Sequence, residues 1–126
     1  MRALITSGIV IVLIVAFGIG SHLIIDKPAN QLIACIDGLE DVLQQEDWEE
    51  VEEQLRSGRD LWQDTSSYWS VIIHHDDLDG IEFSLERLEK YIQAKEKGLS
   101  MAEMGNLRLL LKNIIDEQKM TLKNIL

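Results

Sequence analysis

Residues 47–72, DWEEVEEQLRSGRDLWQDTSSYWSVI, carry apolar or small side chains at Trp48, Val51, Leu55, Gly58, Trp62, Thr65, Trp69 and Ile72. The steps alternate between three and four, the repeat of one helix face, and the phase holds for about seven turns. Asp47 stands just before the run, where a carboxylate can accept from the free amides of a first turn. Gly58 costs a helix interior about 1 kcal/mol relative to alanine. Either the helix ends there or a neighbouring backbone packs closely against it, and the unbroken phase favours a single helix.

The same periodicity extends in both directions. Upstream, Leu32, Ile36, Leu39 and Leu43 line one face, flanked by Cys35 and Val42, until the polar Gln44-Gln45-Glu46 segment. Downstream, Leu78, Ile81, Leu85, Leu88 and Ile92 form a third stripe that starts near Asp76, with Asp79 three residues on in a capping-box-like arrangement. A short His74-His75 turn would set this helix antiparallel to its predecessor. Gly98 reads as the end of the third helix and Ser100-x-x-Glu103 as a capping box opening the fourth, with Leu99 and Met104 as its staple. Met104, Leu107, Leu111 and Ile114 then give the fourth stripe, with Leu110 beside them. One proline, Pro28, and no strand-like alternation complete an all-α pattern: an antiparallel bundle of about four helices over residues 28–126.

Ahead of the bundle, Ala3 to Ile25 is uncharged and mostly aliphatic, and all 22 acidic residues lie after it. As a helix it would reach roughly 34 Å, enough for a hydrocarbon core about 30 Å thick. Residues 1–27 therefore read as a transmembrane anchor. Gly18-Ile19-Gly20-Ser21 could pass for a signal-peptide cleavage site, but Leu23, Ile24 and Ile25 carry the apolar run past it. Leu32-Ile33-Ala34-Cys35 mimics a lipoprotein box, yet Asp26, Lys27 and Pro28 interrupt the approach, and Cys35 reads as a small core residue. Pro28 should begin a new helix, with a kink or break near Asp26-Lys27. Arg2 precedes the span and 11 basic against 22 acidic residues follow it, so the short basic end is expected in the cytoplasm and the bundle outside. A single cysteine allows no internal disulfide. Ala16 and Gly20 could let two spans approach, which leaves the oligomeric state open.

Candidate chemistry is sparse. His75, Asp76 and Asp79 are the only weak metal-ligand candidates; two ligands on one helix face make no cage, and acidic residues at a helix start are explained by its dipole. Three tryptophans on one seam, with Tyr68 and Tyr91 nearby, could line a pocket near Trp62 and Trp69, although heptad-spaced aromatics normally face a core. Arg108, Lys112, Lys119 and Lys123 form a basic stripe that either attracts the acidic start of the second helix, from Glu46 to Glu53, or docks on anionic lipid or an acidic partner. Net negative charge disfavours nucleic acid and general adhesion to anionic membrane surfaces. No phosphate loop, nucleophile motif or separated histidine pair for haem occurs, so no cofactor and no enzymatic activity are expected.

Four segments carry a resemblance: Asp47-Trp48-Glu49-Glu50-Val51-Glu52; Tyr68-Trp69-Ser70-x-Ile72-Ile73-x-His75; Leu78-Asp79-Gly80-Ile81-Glu82-x-Ser84-Leu85-x-Arg87-Leu88-x-x-Tyr91-Ile92; and Thr121-Leu122-x-Asn124-Ile125-Leu126. Together they resemble the bacterial domain-of-unknown-function family 4363 over almost the whole chain. The resemblance implies a short protein with one membrane span, from Gram-positive and spore-forming bacteria, and supplies no activity. His75 matches the family pattern, whereas His74 stands where many members have Asp. The expected function is a non-enzymatic, membrane-anchored accessory protein that touches lipid through its span and a protein partner through its extracytoplasmic bundle. The alternative is a sensor module for a small ligand or cation.

Overall fold

The structure, a computed structural model, describes residues 1–125, without the side chains of Leu122 and Ile125. Leu126, the last residue of the resemblance, lies outside the described residues together with those two side chains. Five α-helices follow one another: α1 (Arg2–Ser21), α2 (Lys27–Gln44), α3 (Trp48–Trp69), α4 (His75–Gln93) and α5 (Lys97–Ile125), and among the described residues there are no strands. Helices α2 to α5 run up and down as a four-helix bundle. α2 packs on α3 and on α5, α4 packs on α5, and the α3–α4 seam closes the ring more loosely. The apolar stripes read from sequence meet in one core, which includes Leu32, Leu43, Val51, Trp62, Trp69, Leu88, Met104 and Leu111.

The irregularity expected near Asp26-Lys27 is a π-helical turn and not an end of the helix. That turn, His22–Asp26, joins α1 to α2, and Arg2–Gln44 is one continuous helical stretch of 43 residues. Asp26 and Lys27 keep right-handed helical torsions, and the Lys27 amide donates to the carbonyl of His22, five residues back. The wider turn accepts a residue that lacks an amide hydrogen without ending the helix. No residue of α1 is buried, whereas Ile25, the last residue of the apolar run, is 3 % exposed in the bundle core.

Asp47 caps α3 as expected, its Oδ1 accepting from the Glu50 amide at 3.3 Å. The helix runs unbroken through Gly58, but no neighbouring backbone explains that glycine: nothing lies within 4 Å of where its Cβ would stand. α3 ends at Trp69, so Ile72 falls out of phase and is half-exposed, and Ile73 takes the buried position. α4 begins at His75 with His74 as its uncapped N-cap residue. The capping arrangement expected of Asp76 and Asp79 does not form; Asp76 and Asp77 lie in the first turn, facing the positive end of the helix dipole.

The expected boundary at Gly98-Ser100 is displaced by about one turn. α4 ends at Gln93, and Lys95 adopts a left-handed conformation with φ 56°. The Glu96 amide donates to Tyr91 and the Lys95 amide to Ile92, the two bonds of a Schellman stop. Glycine usually fills that position, and a lysine there gives no sequence signal. Consequently Gly98 and Ser100 lie inside the first turns of α5. Ser100 is fully buried, its Oγ without a partner, and Glu103 turns toward α4 instead of capping.

Candidate functional site

Three polar clasps and one junction organise the molecule. In an α-helix the carbonyl of Ile24 would accept from residue 28, which is proline and has no hydrogen to give. The Trp69 indole supplies the missing donor, Nε1 to the Ile24 carbonyl at 2.7 Å. Trp69 is wholly buried, and its ring meets that of Trp62 edge to face, centroids 6.0 Å apart. Ile25 of the π-helical turn is buried in the core, and α5 packs against the turn as well. His22 Nδ1 lies 3.5 Å from Asp26 on the outer face of the turn. The apolar helix is thereby fixed to the bundle by a hydrogen bond, a buried isoleucine and continuous backbone.

Along the α3–α4 seam, Glu82 accepts from Trp62 Nε1 at 2.7 Å and from Arg59 at 3.1 Å, and Arg59 also binds Glu89. Burial pushes the Glu82 carboxyl up, but the indole and guanidinium donors outweigh it and hold it below the usual carboxylate range. The bond to Glu89 is the main cause that raises the Arg59 pKa above its ordinary value. Across α4 and α5, Glu103 accepts from Ser84 at 2.5 Å, Arg87 at 2.8 Å and Asn106 at 3.3 Å. Burial again pushes the carboxyl up, and Arg87, Ser84 and Asn106 together bring it below its ordinary value. Between α2 and α5, Arg108 donates to Asp37 at 3.0 Å and to Glu40 at 2.6 Å.

The profile of a family described as "Domain of unknown function (DUF4363)" matches residues 20–125, taking in the π-helical turn, Trp69 and all four bundle helices. The chain belongs to this family. No curated protein and no solved structure matches it.

In this DUF4363 member the remaining candidates disperse. His75, Asp76 and Asp79 are exposed, and among the described residues no three His, Cys, Asp or Glu side chains converge as a metal site would require. Trp62 and Trp69 are 3 % and 0 % exposed and Trp48 is half-buried against the core, so the tryptophans pack inward and line no open cleft. Trp62 does border an apolar cavity of about 50 Å³, rimmed by Gly58 and Cys35, well below the roughly 300–1,000 Å³ of small-molecule sites. The basic stripe is split. Arg108 is spent on α2 and not on the acidic start of α3, while Lys112, Lys119 and Lys123 are exposed. Lys97 is the α5 residue that reaches Glu46, at 3.6 Å.

Cys35, expected in the core, is exposed, because α2 turns Leu32, Ile36 and Leu39 inward and leaves it on the outer edge of that stripe. Reasoning from sequence missed the Ser84–Glu103–Arg87–Asn106 cluster. Ser84 was its one signal, a polar residue between Ile81 and Leu88 in the phase of a buried face.

Proposed function

We propose that this DUF4363 member is a non-enzymatic, membrane-anchored accessory protein: α1 crosses the membrane, and the acidic bundle stands outside the cytoplasm and binds another envelope or membrane protein. The observation that carries this reading is the junction. An apolar helix with no buried residue continues into the bundle without a break, and Trp69 locks the two together. Such a build suits holding a folded surface at fixed distance and orientation from a bilayer. The clasps support the same reading, since Glu82 and Glu103 are saturated by donors of their own chain and are poor candidates for acid–base work. Phe83 and Leu109, both more than half exposed on the outer surface of α4 and α5, offer apolar contact area to a partner.

Cys35 tests topology without any mutation, being the only cysteine and exposed just above the span. A membrane-impermeant maleimide added to intact cells should label it fully; labelling only after lysis would reverse the orientation. Photo-crosslinkers at Phe83 and Leu109 in native membranes should capture a distinct partner. Recovery of monomer alone at both positions would remove the interaction role.

A further inference from the structure

We propose that the span-side end of the bundle is itself a lipid-contact surface, with Tyr68, Val71, Ile72 and Met120 seated in the interfacial layer of the bilayer around α1. The proposal rests on the membrane-anchored reading above and adds a second attachment to it. Trp69 donates to the Ile24 carbonyl, which puts the end of α3 level with the last turns of the apolar run. Tyr68 and the turn at Val71 and Ile72 flank that bond on the α1 side of the core, and they are 42 %, 84 % and 48 % exposed.

The register of α5 is set independently by Arg108 on Asp37 and Glu40. From there α5 runs antiparallel to α2, and 12 residues bring Met120 down about 18 Å, level with the start of α2 near Pro28. Met120 is 65 % exposed, and the exposed Lys119 and Lys123 flank it. The end of α3, the α3–α4 turn and the last part of α5 thus present apolar side chains at one level around the exit of the apolar helix. A phenol ring and lysine stems beside aliphatic groups suit the boundary between headgroups and acyl chains. Asp116 and Glu117 lie one turn above, so the attraction is apolar and not ionic, and salt should not reverse it.

The test uses the full chain with Cys35→Ser in phosphatidylcholine–phosphatidylglycerol nanodiscs. An environment-sensitive fluorophore is placed in turn at Val71→Cys, Met120→Cys, Leu13→Cys within α1, and Glu49→Cys at the far end of the bundle. Nitroxide lipid labelled near the headgroup should quench positions 71 and 120 several-fold more than position 49, and aqueous iodide should do the reverse. Equal access of iodide to 71, 120 and 49 overturns the proposal. If position 13 is quenched by lipid nitroxide while 71 and 120 are not, the anchor stands and this surface falls; if 13 is not quenched, the anchor reading itself falls. Shielding of 71 that disappears at one chain per disc would mean that a second copy, not lipid, covers it, and would also overturn the proposal.

Discussion

Replacing Trp69 with phenylalanine removes one hydrogen and part of one ring from the junction, and the structure sets what that should cost. The Ile24 carbonyl loses its donor, and Pro28 cannot replace it. An orphaned, partly buried carbonyl costs about 1–3 kcal/mol, and the smaller ring forfeits about 1 kcal/mol of burial in the fully enclosed site. For a bundle of this size that sum lowers the melting temperature by roughly 10–20 °C. Thermal unfolding followed by far-UV circular dichroism, on the full chain in nanodiscs, measures it. A cycle with Pro28→Ala isolates the bond, because alanine restores an amide four residues after Ile24. Trp69→Phe should cost at least about 1 kcal/mol less in the Pro28→Ala background than in the native one. Strict additivity would refute the claim that the indole substitutes for the missing amide.

Other outcomes are equally specific. Gly58→Ala should stabilise the bundle by about 1 kcal/mol, since the new methyl meets nothing within 4 Å and a helix interior prefers alanine; a lower melting temperature would contradict the open space at that position. Lys95→Gly should stabilise by about 1 kcal/mol by relieving the left-handed φ of 56° that ends α4, whereas Gly98→Ala should be close to neutral or favourable inside α5. Acid should loosen the clasps built on Glu82 and Glu103. Glu82 and Glu103 have lowered folded pKa values, so their stabilisation is present above their unfolded pKa of about 4.3 and is lost as pH falls through the lower folded values. Glu103→Gln should lower stability at pH 7 and flatten its fall below about pH 4.5; an unchanged acid profile would exclude Glu103 as a contributor.

Much of the architecture could be read from spacing alone. The stripes of α2, α3, α4 and α5 meet in the core in the expected phase up to the end of α3 at Trp69, because periodic burial is a property of each helix and needs no knowledge of its neighbours. The boundaries were less legible where tertiary contacts overrode local chemistry. Ser100-x-x-Glu103 has the form of a capping box, but Glu103 gains more from Arg87 and Ser84 on α4 and from Asn106 one turn along its own helix, and the real stop rests on Lys95, whose torsion has no compositional mark. Pro28 signalled a break, and the compensating donor lies 45 residues away at Trp69 in sequence separation from Ile24. Arg108 was legible as a cation but not as a partner of Asp37 and Glu40, about 70 residues upstream, since charge pairing depends on which helices become neighbours. Cys35 and Ile72 show the limit of phase counting at the edges of a stripe, where a few degrees of helix rotation or an early helix end decides exposure.

The continuous helix from α1 through the π-helical turn into α2 should make the apolar helix and the bundle move as one body. Spin labels at Ile11→Cys and Asp41→Cys in a Cys35→Ser background, measured by pulsed dipolar spectroscopy in nanodiscs, test this most directly. Thirty residues of continuous helix place the two backbones about 45 Å apart, and a single narrow distribution near that distance is expected. A broad distribution, or one centred well below it, would mean a hinge at His22–Asp26 and would contradict the claim.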